Sequence, residues 1–229
     1  MAPKVLVVLT SYSKIEAMDR ETGWFLPELA HPYDELKGKA EMVFASPKGG
    51  VAPLDPGSIK AFESDASSQD FLKNHKDLWE NTQKLSTFVG RSSEFDAIFY
   101  PGGHGPMFDL ATDPDSIALI AEFHNAGKPI AAVCHGPGVL VNVKGADGEY
   151  IVKGKPVTGF SNSEEDTVGY TPYMPFMLET AIQTVSGATY VKAEKDWDAK
   201  VVVSGNIITG QNPASAKPLG EALVKALGL

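Results

Sequence analysis

An α/β fold with a mostly parallel sheet and helices on both faces is predicted by three observations. Short apolar runs that lack polar alternation, such as Lys4–Thr10 (KVLVVLT), read as strands covered on both sides. Helix start and stop signals fall between those runs. Strands that alternate with helices call for parallel pairing and right-handed crossovers. The chain has 229 residues, 43% of them hydrophobic and 21% charged, which is enough for one substantial domain spanning 1–229.

In chain order, Lys4–Thr10 is β-branched and continuously apolar, as a central strand requires. Glu41–Ser46 (EMVFAS), Ala97–Tyr100 (AIFY), Ile130–Val133 (IAAV) and Val201–Ile208, with Gly205-Asn206 at a turn, are further strand candidates. A helix begins at Asp113-Pro114, with an acid at the N-cap and proline at the first position. It runs through Ile117, Ile120 and Ala121 and stops at Gly127-Lys-Pro129. Another follows Pro213 to the C-terminus. Residues 46–93 open rich in Pro, Gly, Ser and Asp, then carry Phe71, Leu72, Leu78 and Trp79 at helical spacing, which predicts a small surface insertion holding one amphipathic helix. Residues 161–175 read as a loop near the site, too irregular for one helix. No internal repeat or low-complexity tail is present.

The formal charge of −9 lacks the basic excess that phosphate or anionic membrane surfaces require, so nucleic acid and membrane partners are not expected. One cysteine cannot form an internal disulfide, and Met1-Ala-Pro-Lys runs straight into a strand. A cytoplasmic protein is the expectation, with the nucleus also open to a eukaryotic one.

That cysteine, Cys134, stands in Ile130-Ala-Ala-Val-Cys-His-Gly-Pro-Gly138, where an apolar strand ends on a thiol, a histidine and turn-permitting glycines. The pattern is that of a nucleophile elbow, the strand delivering the side chain to the sheet edge and the following helix turning its amides to the sulfur. A free thiol ionises at about 8.5, and a helix N-terminus with a cation nearby lowers this to roughly 3.5–7.5, so a thiolate is expected. His135 is placed to move protons, given an acid from another segment to orient it. Pro101-Gly-Gly-His-Gly-Pro106 follows a strand, and an amide of Gly102 or Gly103 paired with that of His135 would make an oxyanion hole.

Neither glycine cluster completes the dinucleotide fingerprint G-x-G-x-x-G, and no phosphate loop occurs, so no nucleotide cofactor is expected. The five histidines, His31, His75, His104, His124 and His135, spell no zinc pattern with the lone cysteine, and no metal is expected. Glu28 lies beside Trp24 and Phe25 at an apolar helix start, where burial raises a carboxyl pKa toward the working range of a proton donor. Glu164, Glu165 and Asp166 are the candidates to orient His135.

Leu9-Thr-Ser-Tyr12, Thr22-Gly-x-Phe-x-x-Glu-x-x-His-Pro32, Gly102-Gly-His-Gly105, Ala131-Ala-Val-Cys-His-Gly-Pro137, Thr158-Gly-Phe160 and Thr209-Gly-Gln-Asn-Pro-Ala-Ser215 together resemble the ThiJ/PfpI superfamily, a branch of the class I glutamine-amidotransferase-like fold. Within it the chain is similar to the glutathione-independent glyoxalase (glyoxalase III) group, also described as heat-shock chaperones. The resemblance runs from end to end. It implies a flavodoxin-like sandwich, a homodimer, and conversion of the 2-oxoaldehyde methylglyoxal to D-lactate without glutathione or metal. Carried over, Cys134 is the nucleophile, His135 the proton shuttle and Glu28 the acid over the sulfur. Glu165 aligns with the family acid, and a register one residue away would put Glu164 there. Trp24, Phe25 and Phe160 are expected to line a shallow substrate pocket. Other readings are a stress chaperone holding unfolded clients, a protein deglycase, a redox sensor using Cys134, and hydrolysis of amide bonds.

Overall fold

The computed structural model describes residues 2–229. Seven strands form the main sheet: β1 (Lys4–Val8), β2 (Glu41–Ser46), β3 (Gln83–Lys84), β4 (Ala97–Tyr100), β5 (Ile130–Val133), β6 (Val201–Ser204) and β7 (Ile207–Gly210), in the spatial order β6-β7-β5-β4-β1-β2-β3. All neighbouring pairs are parallel except β6 with β7, which form an antiparallel hairpin. Val5 to Val8 of β1 and all of β4 and β5 are buried, as strands covered on both faces must be. The run from Val201 is therefore two strands that reverse at Gly205-Asn206, and the second continues to Gly210.

The helices are α1 (Leu26–Leu36), α2 (Pro56–Ala61), α3 (Ala66–Asn74), α4 (Lys76–Glu80), α5 (Gly105–Phe108), α6 (Pro114–Asn125), α7 (Asn162–Val168), α8 (Leu178–Thr184) and α9 (Ala216–Ala226). Asp113 caps α6 by accepting the Ser116 amide at 2.9 Å, with Pro114 at the first position. The C-terminal helix opens with a 3₁₀ turn, Pro213–Ser215, before α9. The connection from β1 through α1 steps toward β2, and that from β4 through α6 steps the other way to β5. Right-handed crossovers then put α1 and α6 on opposite faces, with α9 packed on α1. The chain changes direction between β1 and β4, and the carboxyl ends of strands beside such a switch point are where α/β sheets bind ligands. Glu28, Gly102 and Cys134 all follow strands at that edge.

Two stretches differ from the sequence expectation. Residues 46–93 hold three short helices, not one, and the β3 strand, which extends the sheet beyond β2. The helical run breaks at His75, whose φ of −128° and ψ of 27° are not helical, so Phe71 and Trp79 come from separate helices. Both meet Trp24, at ring centroid distances of 6.2 and 5.6 Å, and the Trp24 Nε1–H donates to Ala52 O at 3.1 Å. Residues 161–175 contain α7, a full helix start to stop, between a Ser161 cap and Gly169 in the left-handed conformation. Among the described residues no helix is long and apolar enough to cross a membrane.

Trp24 is fully buried and fastens the 46–93 segment to the start of α1. Trp24→Ala is expected to cost about 3–5 kcal/mol, the range for emptying a large aromatic site. Denaturant unfolding with unchanged slope would measure it, and a loss under 1 kcal/mol would show that the segment is held elsewhere.

Candidate active site

Cys134 leaves β5 with φ of 61°, a left-handed conformation that costs a non-glycine residue about 1–3 kcal/mol unless its surroundings fix it. They do: its amide donates to Gly210 O at 2.9 Å, and its carbonyl accepts from the Phe160 amide at 2.8 Å. The turn aims the thiol back across the sheet edge and His135 beside it, with Sγ 3.3 Å from Nδ1.

The other imidazole nitrogen, Nε2, lies 2.5 Å from Oε2 of Glu165. Glu165 is delivered by α7, and the start of that helix explains which acid of the run faces inward. Ser161 and Glu164 form a reciprocal capping box, the Glu164 amide donating to Ser161 Oγ at 3.1 Å and the Ser161 amide to Glu164 Oε2 at 2.9 Å. Glu164 Oε1 accepts from Asn212 Nδ2 and the Trp197 amide. Glu164 is thus committed to the helix end, Asp166 is exposed, and Glu165 alone of the three points into the site. The Ser-x-x-Glu spacing was a readable signal for both the helix and this choice.

Glu165 binds a second histidine. Nε2 of His104, in the turn after β4, lies 2.9 Å from Oε1. Burial alone would raise the Glu165 pKa, but the charge and hydrogen bonds of His135 and His104 outweigh it and hold the carboxyl well below the usual range. His104 is pushed the other way, to lower pKa, by burial and then by the charge of His135. In the sequence, the Gly102–Gly105 segment shows only a glycine turn and carries no signal for the role of its histidine.

Glu28 occupies the first turn of α1 and is fully buried. Its carboxyl lies against Gly102, where a Cβ would stand 2.5 Å from Oε2 and 2.8 Å from Cys134 Cβ. Burial raises its pKa to about 8, against smaller opposing effects from Cys134 and the Gly102 and Gly103 amides. Neither oxygen closes a well-formed hydrogen bond. The thiol is pushed up as well, by burial first and then by Glu28, with the Gly103 amide opposing. The element after Cys134 is a five-residue 3₁₀ turn, Gly136–Leu140, which offers the sulfur fewer aligned amides than the helix expected from the sequence. Among the described residues, no backbone carbonyl accepts from the amides of Gly102, Gly103 or His135, and those of Gly102 and Gly103 face Glu28 and the sulfur.

The three expected pocket residues part company. Phe25 lines an open cavity of about 330 Å³ with Arg20, Asp55, Val168, His104 and Tyr170. Phe160 lies over His135, ring centroids 4.4 Å apart, and so backs the imidazole. Trp24 turns into the core toward Phe71 and Trp79 and lines nothing at the site, a correction that follows from its complete burial. Larger clefts of about 570 and 500 Å³ lie by the β6–β7 hairpin and between α1 and Pro213, and neither contains the thiol, so volume does not mark the site. His104, His135 and Glu165 gather three ligating atoms within 4.8 Å, although no sequence pattern spelled a metal site. Both imidazoles are hydrogen-bond partners of Glu165, an arrangement that orients a base.

Residues 28–226 match the DJ-1/PfpI family. The chain is similar to Glyoxalase 3 of Candida albicans, with 31% identity covering 97% of this chain and 98% of that one. It is likewise similar to the glutathione-independent glyoxalase HSP31 of Saccharomyces cerevisiae, with 29% identity covering 99% of each. Among solved structures, glyoxalase III from Candida albicans superposes with a TM-score of 0.89 at 30% identity, covering 98% of this chain and 97% of that one.

A buried carboxyl raised to about 8 has a stability consequence. Between pH 4.5 and about 8 the unfolded chain loses the Glu28 proton while the folded one keeps it, so stability falls as pH rises, by up to about 1.4 kcal/mol per pH unit. Glu28→Gln removes that dependence. Its stability relative to the parent should rise across this window by a few kcal/mol and then level, as chemical denaturation at a series of pH values would show. A constant difference would mean that Glu28 is ionised in the fold.

Proposed function

The chain belongs to the DJ-1/PfpI family, and from that premise we propose that it is a glutathione-independent glyoxalase, a lyase of the D-lactate dehydratase type that converts methylglyoxal to D-lactate. The observation that carries this reading is one thiol with a triad-like base on one side and a protonatable carboxyl on the other. Sγ attacks the aldehyde carbon as its proton passes to His135 Nδ1, and the imidazolium is held by Glu165. His135 Nδ1, 3.3 Å from the sulfur, is placed to hold that proton as the nucleophile forms. The new oxyanion is met by the amides of His135 and the Gly102-Gly103 turn and is protonated to a hemithioacetal.

The remaining chemistry moves one hydrogen from C1 to C2. Removal of the C1 proton gives an enediol, and protonation at C2 gives a 2-hydroxy thioester, with no net oxidation. Glu28, raised to about 8, can both take and return a proton near neutrality. Water activated by His135 then cleaves the thioester, releasing lactate and restoring the thiol. Every step uses groups of this chain, so neither glutathione nor metal enters. A cytoplasmic homodimer fits this reading, as does a separate hold on unfolded clients in stress. Deglycation would begin with the same thiol attack on the same carbonyl.

The test is to incubate the purified protein with methylglyoxal, without glutathione and after exhaustive chelation, and to assay the enantiomer of lactate. D-lactate is expected, and activity that needs an added divalent ion would reassign the His104, His135 and Glu165 cluster. Cys134→Ser should abolish turnover in a folded protein, because a hydroxyl is a far weaker nucleophile than the thiol it replaces. Glu28→Gln should lose at least about 10²-fold in kcat while its thiol still reacts with alkylating agents. Near-parental turnover in Glu28→Gln would assign the C1-to-C2 transfer to His135 alone.

A further inference from the structure

We propose that His104 is a positioning residue for this site, its Nε2–H fixing one oxygen of Glu165 so that the other is kept for His135. The inference rests on the glyoxalase reading for its kinetic consequence but on geometry alone for the contact. The two imidazole nitrogens take different oxygens of one carboxylate, at 2.9 and 2.5 Å. Among the described residues His104 is the sole hydrogen-bond partner of Oε1. Without it, the carboxylate is free to turn about its last bond, and His135 loses the anchor that directs Nδ1 at the sulfur.

Packing leaves His104 one orientation. Its ring lies between that of His135, centroids 4.1 Å apart, and that of Tyr170, 4.6 Å away on the other side. Imidazoles so close cannot both be cations. The charged and titratable groups facing His104 are His135 and Glu165 inward, and Tyr170, Asp55 and Arg20 at the mouth of the cavity. Burial and the His135 charge favour its neutral form, which donates through Nε2 and leaves the positive charge of the reaction to His135. His104 also lines the cavity with Phe25 and Tyr170, so the ring that fixes Glu165 is reached from that side.

Two substitutions separate the hydrogen bond from the ring. His104→Phe keeps the stack and loses the donor, whereas His104→Gln keeps a donor of similar reach and loses the ring. With methylglyoxal, the Phe variant should lose about 10- to 100-fold in kcat, the range for a displaced reacting group, with a smaller change in KM, and Gln should recover most of it. The rate at which iodoacetamide alkylates Cys134 should follow the same order, and this arm needs no assumption about substrate. Parental kcat and alkylation in His104→Phe, or equal impairment in both variants, would overturn the proposal. ¹⁵N-histidine spectra of the unaltered protein decide the matter even if a variant does not fold: protonated Nε2 on His104 supports the proposal, and a proton on Nδ1 alone overturns it. A protein that makes no lactate, yet shows the Phe and Gln difference in alkylation, would sink the glyoxalase reading and leave the positioning role standing.

Discussion

Glu28, Gly102 and Cys134 meet with no room for a side chain at the middle position, and the site depends on that closeness. They arrive from three different strand ends, β1 through the first turn of α1, β4 and β5. A Cβ at Gly102 would meet both the carboxyl and the cysteine. The carboxyl is therefore dry because backbone and cysteine cover it, and dryness is what raises its pKa. Acid and nucleophile are brought together by the same missing methyl group.

On the far side of the sulfur, aromatic rings take over from backbone. Tyr170, His104, His135 and Phe160 follow one another in tilted ring contacts, with Arg20 over Tyr170 at one end and Trp197 edge-on to Phe160 at the other. His135 is thereby packed against His104 and Phe160 together, which restricts its ring while the hydrogen bond to Glu165 chooses the tautomer. The same packing explains why Phe160, expected as a pocket wall, is 5% exposed. Its ring belongs to the machinery that holds the base.

Residues whose roles arise within a few positions of chain were legible in the sequence. Cys134 and His135 are adjacent, and the strand-thiol-glycine order shows the turn. Glu28 was legible because an acid among Trp24, Phe25 and Leu26 must be buried or paired. Most of the main strands were legible as runs of buried β-branched residues. The 46–93 segment misled because Phe71 and Trp79 share a target, Trp24, which two helices broken at His75 reach as well as one continuous helix would. Trp24 itself was misplaced for the same reason: only tertiary structure shows what a large apolar residue packs against. His104 was silent because its partner lies 61 residues away on α7, and composition carries no trace of that meeting.

The two carboxyls of the site are placed in opposite surroundings, and this divides their work. Glu165 faces two imidazoles, whose charge and hydrogen bonds hold it well below the usual carboxylate range, surroundings that suit an orienting anion. Glu28 faces a sulfur, two backbone amides and no cation, and burial brings it to about 8, where both protonation states are within reach of neutral pH. A group that must give and take a proton within one turnover needs that balance, and an orienting anion needs the reverse. The unpartnered oxygens of Glu28 follow from the same logic. A carboxyl already satisfied by the protein would have to break a bond before serving the substrate, whereas one left open beside the thiol would, in the proposed mechanism, take the hemithioacetal as its next partner.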